Sequence, residues 1–168
     1  MIPAANFLNN PVPIAIPVKI TSYGPEETIN LGKRLALNLE IGSVVALSGP
    51  LGAGKTCLVK GIALGLGVEE EVASPTYTIV SEYEGFPGTG NACKEKMPVP
   101  VYHIDAYRLK GDNDFSAMGG EEIIFGKGIS IIEWCENIRG FIPKEALIVD
   151  IMITGDNERL ISFNKANQ

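Results

Sequence analysis

The sequence has little positive charge and no long apolar run, and both absences exclude classes of function. Its 168 residues carry 14 Lys and Arg against 20 Asp and Glu, a formal net charge of −6. Proteins that bind a phosphate backbone unaided draw their affinity from clustered cations, so we expect no DNA binding and no independent tRNA binding. No apolar stretch approaches the roughly 18 residues of a membrane-spanning helix, so we expect no membrane association.

Cysteines and basic N-terminal residues are also scarce. The cysteines Cys57, Cys93 and Cys135 are odd in number and match no metal-binding spacing, which predicts reduced thiols. The first 17 residues contain four prolines, no basic start and no unbroken apolar segment, unlike a signal peptide. These features predict a cytoplasmic protein. The length predicts a single domain, which we place at residues 18–168 behind an extended leader at 1–17.

Apolar patterning predicts strands alternating with helices. A helix should begin at Pro25 and end near Gly42, and a continuous apolar run at 43–48 predicts a strand buried on both faces. Further helices are predicted at 55–66 and 114–125, a mobile surface loop at 85–98, and strands at 18–21, 78–83, 99–105, 129–134, 146–153 and 159–163. This order predicts a three-layer αβα fold of the P-loop NTPase type, with a mostly parallel central sheet and antiparallel C-terminal strands.

The segment Gly-Pro-Leu-Gly-Ala-Gly-Lys-Thr at 49–56 lies between a predicted strand and a predicted helix, the context that a phosphate-binding loop requires. Its glycines allow successive N–H groups to point at an anion, and the helix N-terminus adds positive potential. Lys55 is placed to contact the β- and γ-phosphates, and the Thr56 hydroxyl is placed to bind Mg²⁺. The predicted phosphate-binding residues are Gly49, Gly52, Ala53, Gly54, Lys55 and Thr56.

Carboxylates end two of the predicted strands, where ligands bind in sheets of this type. Asp105 and Glu133 are therefore candidates for the acidic residue that holds the metal or orients water, although each can also cap a neighbouring helix. Thr76, in Ser-Pro-Thr-Tyr-Thr at 74–78, lies on either a switch loop or an ordinary strand-entry turn. The only histidine, His103, is expected to pack in the core, and the only tryptophan, Trp134, either packs in the core or covers a nucleotide.

In combination, these segments resemble the TsaE family, the small bacterial ATPases required for threonylcarbamoyladenosine modification of tRNA. The resemblance rests on Leu-Gly-Ala-Gly-Lys-Thr at 51–56, Ser-Pro-Thr-Tyr-Thr at 74–78, Tyr-His-Ile-Asp-Ala-Tyr-Arg-Leu at 102–109 and Ile-Glu-Trp at 132–134. Their order and spacing also agree, from about residue 22 to residue 163.

The resemblance implies a role for each candidate residue. Glu133 and Thr56 would bind Mg²⁺, Asp105 would be the acidic residue needed for hydrolysis, Thr76 would face the γ-phosphate, and Trp134 would lie beside the nucleotide. The cofactors would be ATP and Mg²⁺, and Lys55 would join Asp105 and Thr76 as a catalytic residue. The partner would be a heterodimer of TsaB-like and TsaD-like proteins, with tRNA contacted only indirectly.

Two residues depart from this pattern or extend it. Cys57 stands where the family usually has threonine, and a thiol is a weaker donor to an α-phosphate than a hydroxyl. Arg159, near the C-terminal strands, is a further candidate to reach the nucleotide. ATP is favoured over GTP because no Asn-Lys-x-Asp motif is present. Two alternatives share the phosphate loop: a small-molecule kinase and a non-catalytic assembly module controlled by ATP.

Overall fold

The computed structural model describes residues 2–3, 13–87 and 97–166. Within these ranges a single sheet contains the strands β1 (Ile2–Pro3), β2 (Val18–Ser22), β3 (Val44–Ser48), β4 (Val80–Gly85), β5 (Val99–Asp105), β6 (Ile129–Glu133), β7 (Leu147–Ile153) and β8 (Arg159–Lys165). Their spatial order is β1-β2-β8-β7-β3-β6-β5-β4.

The four central strands β7, β3, β6 and β5 are parallel, which confirms the predicted parallel centre. β8 pairs antiparallel with β7, as predicted for the C-terminal strands, and β2 pairs antiparallel with β8. β4 pairs antiparallel with β5 at the other edge. β4 begins at Val80 rather than at residue 78, because Ile79 has a left-handed backbone conformation (φ 67°) that no regular strand accommodates.

One face of the sheet is covered by α1 (Pro25–Leu35) and α2 (Lys55–Gly65). The two helices approach so closely that a Cβ on Gly61 would overlap the Ile29 carbonyl, so glycine is required at the crossing. α1 continues only as a 3₁₀ turn at Ala36–Asn38, short of the predicted end near Gly42. Gly67 follows α2 with φ 74°, the left-handed C-terminal cap that the sequence indicates.

The opposite face is covered by α3 (Asp112–Ala117), α4 (Gly120–Ile124) and the 3₁₀ segment Cys135–Phe141, which completes the three predicted layers. The single helix predicted at 114–125 is wrong. Gly119 adopts a left-handed conformation (φ 79°) between α3 and α4, and this conformation ends one helix before the next begins. Both faces of the parallel strands are therefore buried, consistent with their continuous apolar sequences.

The segment that leads into β2 is packed onto the domain rather than extended away from it. Ile14 is buried, and its N–H and carbonyl exchange hydrogen bonds with the Asn38 side chain at 2.9 and 3.0 Å. Residues 4–12 of the predicted leader and residues 88–96 of the predicted mobile loop lie outside the described residues. In the described part of the chain, no helix has both the length and the apolar character needed to cross a membrane.

Candidate nucleotide-binding site

The loop between β3 and α2 turns sharply over the carboxyl end of the sheet. Gly49, Gly52 and Gly54 have φ values of 138°, 77° and 100°, which side-chain-bearing residues rarely adopt. At Gly49 the loop also lies against β7, because a Cβ there would be 2.5 Å from the Ile151 carbonyl oxygen. The glycines therefore allow both the turn and its close contact with the sheet.

The first turn of α2 supplies unpaired donors beside this loop. Leu58 N–H donates to the Gly54 carbonyl at 3.1 Å, and helix geometry leaves the N–H groups of Lys55, Thr56 and Cys57 without intrahelical partners. The helix dipole adds positive potential at the same point. Oriented N–H groups at a helix N-terminus are a general anion-binding arrangement, and here they follow a glycine-rich turn.

Lys55 is buried, with 4% of its surface exposed, and its contacts in the described part of the chain are with neutral groups. Its Nζ donates to the carbonyls of Gly49 (2.6 Å) and Pro50 (3.0 Å) and lies 3.6 Å from the centroid of the Trp134 ring. Burial lowers the pKa of Lys55, while Coulombic attraction from Glu133 and other acidic groups opposes this shift. A phosphate would give this ammonium the anionic partner that the protein side chains do not provide.

Glu133 ends β6 beneath the start of α2 and is 3% exposed. The Thr56 hydroxyl donates to its two carboxylate oxygens at 2.9 and 3.1 Å, and His103 Nε2 lies 2.8 Å from Oε1. Hydroxyl and carboxylate oxygens are the ligands that Mg²⁺ prefers. The residues present therefore fit the metal that this loop type uses, and His103 is hydrogen-bonded in the core, as the sequence analysis expects.

Asp105 ends β5 directly beside Glu133, with which it pairs in the parallel ladder. Its Oδ2 accepts hydrogen bonds from Ser74 Oγ (2.7 Å) and Thr76 Oγ1 (2.9 Å), and its Oδ1 accepts from Tyr107 N–H (3.0 Å). The Ser-Pro-Thr segment is thus attached to the strand end through one buried carboxylate.

Among the residues that the structure describes, two with side chains, Ile79 and Trp134, adopt left-handed conformations, and both lie at this site. Trp134 has φ 58° directly after Glu133, and its ring packs against that of Tyr107 in a tilted arrangement, with a centroid distance of 5.0 Å. Ile79 has φ 67° at the end of the 74–78 segment, where its carbonyl accepts from Asp105 N–H at 2.8 Å. Such conformations cost on the order of 1–3 kcal/mol each and cluster at functional sites.

The structure brings together most of the residues selected from the sequence. Lys55 contacts Trp134, Thr56 contacts Glu133, and Thr76 contacts Asp105. Ala53 is fully buried and Cys57 half-buried, and their backbones belong to the loop and the first turn of α2.

Three contacts at the site were not predicted from the sequence: Ser74 with Asp105, His103 with Glu133, and Arg159 with the loop carbonyls. Side chains alternate between the two faces of a strand, so His103 lies on the same face of β5 as Asp105. This alternation would have indicated that His103 contacts a side chain at a strand end, as Glu133 is.

Within residues 13–87 and 97–166, no three or more His, Cys, Asp or Glu side chains are grouped so as to hold a metal ion.

A family model described as "Threonylcarbamoyl adenosine biosynthesis protein TsaE" matches residues 22–161, which include the whole site. The chain belongs to the TsaE family. Its place is therefore in the biosynthesis of threonylcarbamoyladenosine in tRNA. The matched range contains the phosphate loop, the 74–78 segment and both strand-end carboxylates.

Relatives and a solved structure agree with this membership. The tRNA threonylcarbamoyladenosine biosynthesis protein TsaE of Treponema pallidum is 37% identical over 86% of this chain and 98% of its own length. The protein of the same name from Bacillus subtilis is 38% identical over 87% of this chain and 84% of its own length. The crystal structure of Bacillus subtilis YdiB superimposes with a TM-score of 0.69 at 33% identity, covering 92% of this chain and 88% of that one.

Proposed function

We propose that this protein is a cytoplasmic, Mg²⁺-dependent ATPase that regulates threonylcarbamoyladenosine modification of tRNA. It acts on a partner heterodimer of TsaB-like and TsaD-like proteins rather than on tRNA directly. The observation that carries the proposal is the buried Lys55 ammonium. It lies beside a glycine loop and a helix N-terminus, and its partners among the described residues are two carbonyls and an aromatic ring.

The nucleotide phosphates would lie in the loop at 49–56. Their oxygens would accept hydrogen bonds from the N–H groups of Gly54, Lys55, Thr56 and Cys57, and Lys55 Nζ would move from its two carbonyl partners to the β- and γ-phosphates. Thr56 and Glu133 would hold Mg²⁺, which neutralises charge that develops on phosphate oxygens during hydrolysis. The hydrogen bond of Thr56 to Glu133 already places both oxygens together.

Asp105 and Thr76 would act at the γ-phosphate end. Asp105 is buried and adjacent to Glu133, so it is suited to orient a water molecule near the metal. Thr76 shares the Asp105 carboxylate with Ser74, so a γ-phosphate or metal that competes for either hydroxyl would release the 74–78 segment. Hydrolysis would then change the conformation of a surface segment, as a regulatory ATPase requires.

Charge and exposure favour a protein partner over tRNA. The net charge of −6 opposes direct binding to a polyanion. Apolar side chains around the site are exposed instead, with 80% of Leu51, 85% of Tyr77 and 53% of Tyr107 accessible. Exposed apolar groups on a charged surface are typical of protein–protein contacts. A partner bound there would contact the phosphate loop and the 74–78 segment at once.

The experiment that tests this proposal measures ATP hydrolysis with and without the purified heterodimer, for the wild type and two lysine variants. Lys55→Ala should abolish nucleotide binding and hydrolysis. Lys144→Ala, which removes an exposed charge far from any contact described for the site, should retain both.

The wild-type rate should be slow alone and should change when the heterodimer is added. Hydrolysis that survives Lys55→Ala would refute the ATPase assignment. A rate indifferent to the heterodimer, together with phosphate transfer to a small acceptor, would favour the kinase alternative. Partner binding that depends on ATP but not on hydrolysis would favour the assembly module.

A further inference from the structure

Arg159, the first residue of β8, spans two parts of the chain that are far apart in sequence. Its Nε donates to the Ala53 carbonyl at 3.1 Å and Nη2 donates to the Gly52 carbonyl at 3.2 Å. Its Nη1 donates to the carbonyls of Gly155 and Glu158, each at 2.9 Å, in the turn between β7 and β8. One guanidinium therefore connects the phosphate loop to the C-terminal hairpin.

No carboxylate in the described parts of the chain forms an ion pair with this arginine. Its hydrogen-bond partners among the described residues are main-chain carbonyls. The planar guanidinium offers five N–H donors in a fixed fork, which matches several carbonyls at once better than an ammonium does. The arrangement is one that lysine cannot reproduce.

The geometry of the peptide bond gives these contacts a consequence for anion binding. In a trans peptide the carbonyl and the following N–H point in opposite directions. The hydrogen bond to the Ala53 carbonyl therefore directs Gly54 N–H away from Arg159. The neighbouring Ala53 N–H is not available to an anion, because it donates to the Pro50 carbonyl at 3.1 Å.

A second contact supports the other end of the loop on the same part of the sheet. The close approach of Gly49 to the Ile151 carbonyl places the start of the loop against β7. Arg159 then attaches positions 52 and 53 to the turn that joins β7 to β8. The β7–β8 hairpin is thus a rigid support for the loop on the side opposite β6, which carries Glu133.

We propose that Arg159 is a positioning residue that holds the phosphate loop in its anion-binding shape through the carbonyls of Gly52 and Ala53. The inference rests on the proposed function, since it concerns how the same site is prepared for a nucleotide. Three consequences separate it from a direct charge contact with phosphate. The effect on binding is equal for ADP and ATP, a lysine does not restore it, and the loop amides exchange faster even without nucleotide.

The test compares Arg159→Ala, Arg159→Lys and the charge-matched control Lys144→Ala with the wild type. Calorimetry gives the Kd for ADP and for ATP, and hydrogen–deuterium exchange of the nucleotide-free proteins gives the protection of residues 50–56. Arg159→Ala should weaken both nucleotides by about tenfold, the order expected for lost hydrogen bonds from a charged donor. Arg159→Lys should recover little of this loss, and Lys144→Ala should bind as the wild type does.

The proposal would be overturned if Arg159→Lys binds both nucleotides normally. It would also be overturned if the loop amides of Arg159→Ala are as protected from exchange as those of the wild type. A loss confined to ATP would likewise indicate direct contact with the γ-phosphate. Wild-type protein that binds no nucleotide would instead refute the proposed function, and the exchange data would still decide the role of Arg159. If Arg159→Ala does not fold, hydrogen–deuterium exchange of the loop amides in Arg159→Lys tests the same positioning role.

Discussion

His103 Nε2 lies 2.8 Å from Glu133 Oε1, and both side chains are almost completely buried. Towards a carboxylate, which accepts hydrogen bonds when ionised, His103 Nε2 is the donor, and its Nδ1 has no hydrogen-bond partner in the described parts of the chain. The same carboxylate accepts from Thr56. His103 therefore holds Glu133 in the orientation in which it faces the start of α2.

The first prediction is that His103 affects metal binding separately from nucleotide binding. His103→Leu should weaken Mn²⁺ binding to the ADP complex by about 10- to 100-fold, the usual effect of removing a group that orients a metal ligand. His103→Gln should restore much of the loss, because its amide nitrogen can donate where Nε2 did. Electron paramagnetic resonance measures the binding of Mn²⁺ to the ADP complex, and calorimetry in the presence of a chelator measures the binding of ADP without metal. Equal losses in both measurements would contradict this role.

The second prediction concerns the carboxylate that holds the 74–78 segment. In Asp105→Asn, an amide replaces the group that accepts hydrogen bonds from both Ser74 and Thr76. Turnover should fall strongly while the Kd for ATP stays close to the wild-type value, and amides at 74–78 should exchange faster. Glu133→Ala should instead weaken Mg²⁺-dependent binding more than turnover. The reverse order for the two variants would show that their roles are exchanged.

The parts of this site that depend on local spacing were predictable from the sequence. The glycine pattern predicted the sharp turn between β3 and α2, and the rule for strand ends made Asp105 and Glu133 candidates, which the register of β5 and β6 places side by side. Contacts that depend on sheet order were not predictable. Arg159 lies more than 100 positions from Gly52, and only the adjacency of β7 to β3 brings them together.

Local backbone conformation was the other source of error. The pattern at 114–125 has helical spacing, but it does not reveal that Gly119 takes a left-handed conformation and divides the helix. Similarly, β-branched Ile79 favours a strand by propensity, yet it lies at φ 67° because hydrogen bonds to Pro75 and Asp105 fix both of its backbone groups. At Ile79, the contact with Asp105 at the end of β5 overrides the local preference.

The third prediction tests the contact between α1 and α2, which supports the first turn of the nucleotide site. Gly61→Ala should lower the free energy of unfolding by about 1–3 kcal/mol, because the new Cβ would overlap the Ile29 carbonyl and force the helices apart. Gly24→Ala is the control, since nothing lies within 4 Å of a Cβ there and its φ of 166° is accessible to any residue. Urea denaturation measures both. Equal stability of the two variants would contradict the close packing.

The fourth prediction concerns the thiol of Cys135, two residues after Glu133. Burial, together with the nearby charges of Glu136 and Asp150, raises the pKa of Cys135 to about 12, whereas an ordinary thiol has a value of 9.0. Because only the thiolate reacts with disulfide reagents, and each unit of pKa above the working pH lowers its population tenfold, labelling near pH 8 should be slower by about a thousandfold than in the unfolded chain.

A variant with Cys57→Thr and Cys93→Ser leaves Cys135 as the only thiol, so a disulfide reagent reports on it alone. The labelling rate of the folded protein should rise with pH up to about 12, and the same protein in concentrated urea provides the reference rate. Addition of ADP should not accelerate labelling, because the thiol is buried in the layer opposite α2. Rapid labelling of the folded variant near neutral pH would mean that the 3₁₀ segment Cys135–Phe141 opens readily, and that the support beneath Trp134 is less rigid than its packing indicates.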